Sequence, residues 1–260
     1  WRELMGGNVE KIICGGAALS RDVYYFFRNI GIPVYDGYGL TEMAPLVTFN
    51  NETFDKPGTV GRMLPNVIGK IAEDGEVLLK GPNLMQGYYK HPELTKEAID
   101  KEGWLHTGDI GELDEDEYLS ITGRKKTIFK ISSGTYVYPE RIENQMKLSP
   151  FIDQVIVVGE NRESLGAIIT LNQEYIKKWM KRNSIAGSVE KNIFNNLLRK
   201  EMDTVVMGYN TNARETHQIL QYELLLDVWS VDSGELTPSM KIKRNVVEQK
   251  YNKTIESLFK

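Results

Sequence analysis

Apolar and polar positions change rhythm twice along the chain, and the three stretches predict three textures. In the first, Lys11-Ile12-Ile13-Cys14 is a short apolar run ending at Gly15-Gly16, which reads as a strand and its exit. Ser20 is placed to cap a helix whose apolar positions are Val23, Phe26, Phe27 and Ile30. Gly31 stops that helix, and Ile32-Pro33-Val34-Tyr35 enters a second strand. Strand, helix and strand in this order predict an α/β unit that buries its strands.

After Thr59 the period becomes two. Val67–Ile71 and Glu76–Lys80 alternate around Asp74-Gly75, a hairpin signal. Ile110–Leu113 and Tyr118–Ile121 flank the acidic turn Asp114-Glu115-Asp116-Glu117 in the same way. Residues 59–122 are therefore expected as short antiparallel strands. From Gly123 the pattern turns α+β. A helix is expected from Pro139 to Leu148, strands at Gln154–Val158 and Leu165–Leu171, and helices at 173–183 and 188–203. An apolar strand Tyr222–Trp229 and a last helix, 245–259, follow. Val246, Val247, Tyr251, Ile255, Leu258 and Phe259 give that helix a packing face. The change of texture at Gly123-Arg124-Lys125-Lys126 marks a domain boundary, too short and charged for a loose linker and so expected to act as a hinge.

Composition narrows the class. The 260 residues are 41% apolar and 26% charged, an ordinary globular balance that excludes disordered and fibrous chains. Thirty-two basic and thirty-six acidic residues leave a net charge of −4, which gives no footprint for a nucleic-acid partner. The single cysteine, Cys14, excludes a disulfide framework and reads as a small buried hydrophobe in a reducing compartment. No apolar run reaches the ~18 residues of a membrane span, and no signal peptide opens the chain. The opening Trp1-Arg2-Glu3-Leu4 has no initiator Met, and is expected to be a cut into a larger protein.

Four short segments carry candidate chemistry, each with a bland alternative. Asp36-Gly37-Tyr38-Gly39-Leu40-Thr41-Glu42 follows the second strand. It combines glycines that allow close backbone approach, a flat aromatic face, a hydroxyl suited to a phosphate and a hard oxygen suited to Mg²⁺. It could equally be a glycine turn before a capped helix. Thr107-Gly108-Asp109 offers a carboxylate able to take two ribose hydroxyls, or to cap a turn. Gly123-Arg124-Lys125-Lys126, leading to Ser132-Ser133-Gly134-Thr135, offers a guanidinium fork or an exposed basic turn. Leu236-Thr237-Pro238-Ser239-Met240-Lys241-Ile242-Lys243-Arg244 offers a lysine on a Pro-led loop, or a solvated basic face. His91, His106 and His217 are scattered and are discounted as catalytic bases.

The order of these segments is more specific than any one of them. Gly-Gly-Ala-Ala-Leu (15–19), Tyr-Gly-Leu-Thr-Glu (38–42), the run 75–89, Thr-Gly-Asp, Gly-Arg-Lys-Lys and Pro-Ser-Met-Lys follow one another as in the adenylate-forming enzymes. The chain resembles acyl-CoA synthetases over essentially its whole length. Leu-Thr-Pro-Ser-Met-Lys-Ile-Lys-Arg, Tyr-Pro-Glu-Arg-Ile-Glu-Asn and Val-Val-Gly-Glu-Asn-Arg resemble the long-chain fatty acid–CoA ligases in particular.

The resemblance implies an α/β and α+β fold. Residues 1–123 would be the C-terminal part of a large adenylation domain, an α/β unit plus a small antiparallel β subdomain. Residues 124–260 would be a small, mobile α+β C-terminal lid domain. It implies two half-reactions, in which ATP and a fatty acid give an acyl-adenylate and CoA then displaces AMP. Gly15, Gly16 and Ala17 would line the nucleotide pocket together with Asp36 and Gly37. Tyr38 would stack on adenine, Thr41 would hold a phosphate and Glu42 would bind Mg²⁺. Asp109 would hold the ribose and Arg124 would contact the nucleotide. Lys126 would be the hinge, the Ser133-Gly134-Thr135 turn would face the CoA side, and Lys241 would be the catalytic lysine. Lys243 is the alternative, because Met240 stands where the family has Gly. Thr135-Tyr136 also departs from the Lys-Asn frequent in long-chain relatives. The family's Thr/Ser/Gly-rich phosphate loop has no match in these residues, which predicts that the 260 residues alone are inactive. The implied location is cytoplasmic, with contact at the membrane surface open. The competing readings are a peptide-synthetase adenylation domain, a luciferase-like enzyme, and a non-catalytic nucleotide-binding or scaffold protein.

Overall fold

The computed structural model describes residues 1–17, 19–189 and 196–260. The chain divides into two compact units, Trp1–Lys126 and Thr127–Lys260.

The first unit begins with β1 (Ile12–Gly15), α1 (Arg21–Asn29) and β2 (Val34–Gly39). The Ser20 hydroxyl accepts the Val23 N–H at 3.2 Å and caps α1, and Gly31 ends it in the left-handed conformation, φ +79°. β1 and β2 pair in parallel, with Gly15 opposite Gly37. β3 (Leu46–Phe49) and β4 (Arg62–Met63) continue the sheet antiparallel, in the order β1-β2-β3-β4.

Three expectations are corrected here. β1 is an edge strand that alternates in exposure, with Ile13 65% exposed, and only β2 is buried, from Val34 to Gly37. α1 turns Tyr24 inward and leaves Phe26 42% exposed, because Tyr24 finds a buried partner in Asp55 at 2.6 Å. The motif beginning at Asp36 also does not follow the second strand. Residues 36–39 are its last four residues, since pairing with β3 carries the extended backbone through to Gly39.

The rest of the first unit is an antiparallel meander of β5 (Ile68–Ile71), β6 (Glu76–Lys80), β7 (Leu105–Leu113) and β8 (Leu119–Arg124). Gly75 (φ +84°) makes the β5–β6 turn, and Glu117 (φ +65°) the β7–β8 turn. α2 (Pro92–Ala98) lies in the β6–β7 connection. Val77, Leu79, Leu105 and Leu119 close a core with Met43 and Val47, each burial contributing about 1.5–3 kcal/mol. β7 starts earlier than the alternation suggests, so Thr107-Gly108-Asp109 is strand rather than turn.

The second unit opens with the hairpin β9 (Phe129–Lys130) and β10 (Tyr136–Val137), then α3 (Pro139–Met146). β11 (Ile152–Val158), β12 (Leu165–Leu171) and β13 (Ile219–Leu225) form a sheet in that order, β11 antiparallel and β13 parallel to β12. Every residue of β12 is buried, as a central strand covered on both faces requires. Ile142, Ile176, Leu198 and Met202, from α3, α4 (Gln173–Arg182) and α5 (Asn196–Asn212), join one core; Trp229, Leu236, Val247 and Tyr251 join the other.

The expected helix 188–203 falls partly outside the described residues, and the helix observed is Asn196–Asn212. The strand expected at Tyr222–Trp229 is Ile219–Leu225, because its register follows β12 and not its own apolar run. The last helix divides into α6 (Arg244–Lys250) and α7 (Asn252–Leu258) at Tyr251. The Tyr251 hydroxyl accepts from the Trp229 indole (3.2 Å) and donates to Asp227 (2.6 Å), which fixes this residue in the core.

Candidate functional site

The C-terminal ends of parallel strands are where open α/β sheets take ligands, and Gly15-Gly16-Ala17 lies exposed at the end of β1. Ala18, next in the motif, is outside the described residues. A Cβ on Gly15 would come within 3.3 Å of the Gly37 carbonyl, and Gly16 adopts φ +82°. The glycines of β2 have a different cause. A side chain on Gly39 would collide with the Pro45 carbonyl, and one on Gly37 would sit 3.0 Å from the Thr48 carbonyl. Both lie in close approach to β3 and its lead-in at Pro45.

Asp36, 7% exposed, accepts N–H bonds from Gly37 (3.0 Å) and Leu19 (3.3 Å). Burial outweighs those bonds and pushes its carboxyl up to about 6.

Tyr38, Asp109 and Arg124 come together. The Tyr38 hydroxyl donates to Asp109 Oδ2 at 2.6 Å, across 71 positions of sequence. Arg124, opposite Asp109 on β8, makes an ion pair to Oδ1 at 3.2 Å. The Thr107 hydroxyl accepts the Asp109 N–H (3.1 Å) and donates to the Val77 carbonyl (2.7 Å), fixing the carboxylate's strand. Burial, then the Asp109 charge, push the Tyr38 phenol far above its ordinary value, so it remains a donor.

Beside this cluster Glu76 is buried. It accepts the Gly108 N–H (2.8 Å), the Lys125 ammonium (3.0 Å) and a contact from His106 Nδ1 (3.2 Å). Burial opposes its charge, but Lys125 and these neighbours hold its carboxyl below the ordinary value. Lys125 also pairs with Asp74 at 2.6 Å, and its N–H donates to the Gly108 carbonyl. His106 thus joins Glu76 to Asp100 and braces the strand.

Thr41 and Glu42 lie on a single helical turn, Thr41–Met43, that closes at Ala44 with φ +50°. Segment 83–88 cradles it. Asn83 Nδ2 donates to the Met43 carbonyl (2.7 Å), the Met85 N–H to the Glu42 carbonyl (2.8 Å) and the Tyr88 hydroxyl to Glu42 Oε1 (2.7 Å). Thr41 is exposed beside it. The described residues hold no cluster of three His, Cys, Asp or Glu groups fit for a metal. One carboxylate with a neighbouring hydroxyl nevertheless suits Mg²⁺, which takes one or two carboxylates and completes its shell with water and substrate phosphates. Asn83, Tyr88, Glu76 and Lys125 were not singled out by sequence, although the run 75–89 and the Gly-Arg-Lys-Lys motif contain them.

In the second unit, Gly134 (φ +82°) turns the β9–β10 loop, donating its N–H to the Ile131 carbonyl, with Ser133 and Thr135 hydroxyls 3.0 Å apart. Lys126 is exposed at the end of the first unit, and Arg124 and Lys125 are built into that unit through β8 and Glu76. Lys241 and Lys243 are both exposed. The loop carrying Lys241 closes on itself. The Thr237 N–H donates to the Lys241 carbonyl (2.8 Å), and the Lys241 N–H donates to the Thr237 hydroxyl (3.0 Å). Met240 sits at φ +62°, a conformation glycine adopts freely and methionine only with strain.

Family models match the chain as an AMP-binding enzyme over residues 2–89 and as an AMP-binding enzyme C-terminal domain over residues 126–260. Long-chain-fatty-acid–CoA ligase FadD15 of Mycobacterium bovis is 37% identical over 260 residues, covering 99% of this chain and 43% of that protein. Long-chain-fatty-acid–CoA ligase 6 of Homo sapiens is 36% identical over 270 residues, covering 98% and 39%. The chain therefore spans less than half the length of these curated relatives. The adenylation domain of a carboxylate reductase from Mycobacterium chelonae has the same fold, with a TM-score of 0.80 at 24% identity over 99% of this chain and 40% of that one. An α/β and α+β architecture, these relatives, and a C-terminal-domain match over more than half its length together establish that the chain belongs to the AMP-binding enzyme family.

Proposed function

We propose that this chain is the C-terminal part of an ATP-dependent long-chain fatty acid–CoA ligase. The observation that carries the reading is the Tyr38–Asp109–Arg124 cluster, assembled from distant segments in the same unit as the Thr41–Glu42 turn. The names of the relatives supply the acid and the thiol. On this reading the first unit, through Lys126, completes a larger adenylation domain, and residues 127–260 form its mobile partner, turning at Lys126.

In the first half-reaction an oxygen of the fatty acid carboxylate bonds to the α-phosphorus of ATP, and the bond to pyrophosphate breaks. The carboxylate is already ionised near pH 7, so no general base is needed. Asp109 accepts hydrogen bonds from the ribose hydroxyls, and its ion pair with Arg124 orients the carboxylate for that role. Tyr38, on β2, presents its ring to the base, and the glycine ends of β1 leave room beside it. Thr41 donates to a phosphate oxygen. Glu42, oriented by Tyr88, would hold Mg²⁺, which would supply positive charge against the phosphates. Lys241 adds its charge where negative charge develops on the α-phosphate. In the second half-reaction the CoA sulfur bonds to the acyl carbon, AMP leaves and the thiol proton goes to solvent. The Ser133-Gly134-Thr135 turn serves that step.

The test is ATP–pyrophosphate exchange driven by palmitate. It is measured for the 260 residues alone and for the same residues joined to the upstream half of the 37%-identical relative. Exchange by the joined protein only is expected. Exchange by the 260 residues alone overturns the partial-site reading, and none in either overturns the ligase reading.

A further inference from the structure

The loop that carries Lys241 is anchored at both feet by ion pairs to buried carboxylates that no part of the mechanism above uses. On its N-terminal side, Glu235 is wholly buried and accepts from the Ser233 hydroxyl and from Lys250 of α6 at 2.5 Å. Its carbonyl accepts the Lys243 N–H at 2.7 Å, and Leu236 bridges Ile242, so the two feet are also tied to each other. On the C-terminal side Arg244 reaches the buried carboxylate of Glu143 on α3, and donates to the Val157 carbonyl of β11 at 2.9 Å. Glu143 completes this knot by accepting the Val157 N–H at 2.8 Å. One loop is thereby locked to a helix on one side, and to a helix and the central sheet on the other.

A buried ion pair is poor evidence of stability, because desolvating both charges offsets much of their attraction. Apolar side chains of similar volume would fill the same space. What a fork such as Arg244 adds is direction, since it ties Glu143 and a main-chain carbonyl at a fixed angle. The loop needs that direction. Its tip holds a strained Met240 and an exposed Lys241, whose charge must be placed to within about 1 Å to serve the reacting phosphate.

We propose that Arg244 and Glu143 are positioning residues for adenylation, holding the Lys241 loop in its working geometry before any nucleotide binds. This inference rests on the reading of Lys241 given above. It predicts a selective defect, because Lys241 serves the first half-reaction and not the second.

The experiment uses the joined protein and follows pyrophosphate exchange, and separately CoA thioester formation from supplied palmitoyl-AMP. The variant is Glu143→Gln/Arg244→Met, which removes the pair without leaving a lone buried charge. The expected result is a fall in the exchange kcat of about 30–100-fold, with the KM for ATP little changed and thioester formation within about threefold of the parent. Arg244→Lys, keeping charge but not the fork, should lie between. A parallel fall of both half-reactions shows a merely structural pair and overturns the proposal, as does unchanged exchange. Lys241→Ala separates the two levels: full exchange in that variant sinks the reading of Lys241 itself. Hydrogen exchange on the 260 residues gives a second readout. The amides of Met240 and Lys241 should lose protection in Glu143→Gln/Arg244→Met while β11 and β12 keep theirs; protection kept at both amides contradicts the proposal.

Discussion

Asp36 lends itself to a quantitative test. Its carboxyl is pushed from an ordinary 3.8 up to about 6, with burial as the first cause and the N–H bonds of Leu19 and Gly37 only partly opposing it. The folded state therefore binds a proton over a range where the unfolded chain has released it. Between about pH 4 and 6 the stability this residue allows falls as pH rises, the reverse of a salt-bridged carboxylate. A shift of about two units corresponds to about 3 kcal/mol, fully expressed above pH 6 and absent below about pH 4. Asp36→Asn keeps the shape and one acceptor oxygen but cannot ionise. It should match the parent near pH 4 and be more stable by up to about 3 kcal/mol near pH 7.5, less the cost of placing the new amide. The chain has two units, so a single unfolding curve does not isolate the effect. Hydrogen exchange of β2 peptides against β12 peptides does, with the variant-minus-parent difference taken at each pH to cancel other carboxylates. A difference that is flat with pH, or that grows toward acid, would refute the reasoning. If Asp36 also faces the nucleotide, the stabilised variant should bind AMP less well in the joined protein.

Other outcomes follow from single contacts. Met240→Gly relieves a left-handed methionine, worth about 1–2 kcal/mol, against a backbone entropy cost of about 0.5–1. Urea unfolding of the second unit should show a gain of up to about 1 kcal/mol, and a loss contradicts the observed turn. Tyr88→Phe removes the donor on Glu42 Oε1 and should leave the melting temperature within about 2 °C, while the Mg²⁺ concentration for half-maximal exchange in the joined protein rises several-fold. Unchanged Mg²⁺ dependence counts against Tyr88 orienting Glu42. Asp109→Asn keeps the packing with Tyr38 but loses the charge-assisted contacts. AMP binding by calorimetry should weaken by about 1.5–3 kcal/mol, and equal affinity removes Asp109 from the nucleotide site.

What was legible in the sequence is what local chemistry decides. Ser20 caps its helix, Gly31 ends it, and Asp74-Gly75 turns its hairpin, because each needs only near neighbours. What was not legible depends on partners far along the chain. The inward turn of Tyr24 depends on Asp55, the register of β13 on β12, and the break at Tyr251 on Trp229 and Asp227. The candidate site divides in the same way. Ordered motifs pointed to Tyr38, Thr41, Glu42, Asp109 and Arg124. The pairing of Tyr38 with Asp109, the cradle of residues 83–88 around Glu42, and the Glu76–Lys125 knot under Gly108 exist only once the sheets form. The close approach of β3 to Gly37 and Gly39 likewise appears only once the sheet forms.

The central claim is that the chain carries the C-terminal share of an adenylate-forming site, with Lys241 acting in one half-reaction only. The most direct measurement compares Lys241→Ala with the parent in the joined protein, following palmitate-dependent pyrophosphate exchange and thioester formation from palmitoyl-AMP side by side. The predicted result is a loss of exchange of about 10²–10³-fold with thioester formation nearly intact. Equal loss in both, or no loss in exchange, would contradict the account.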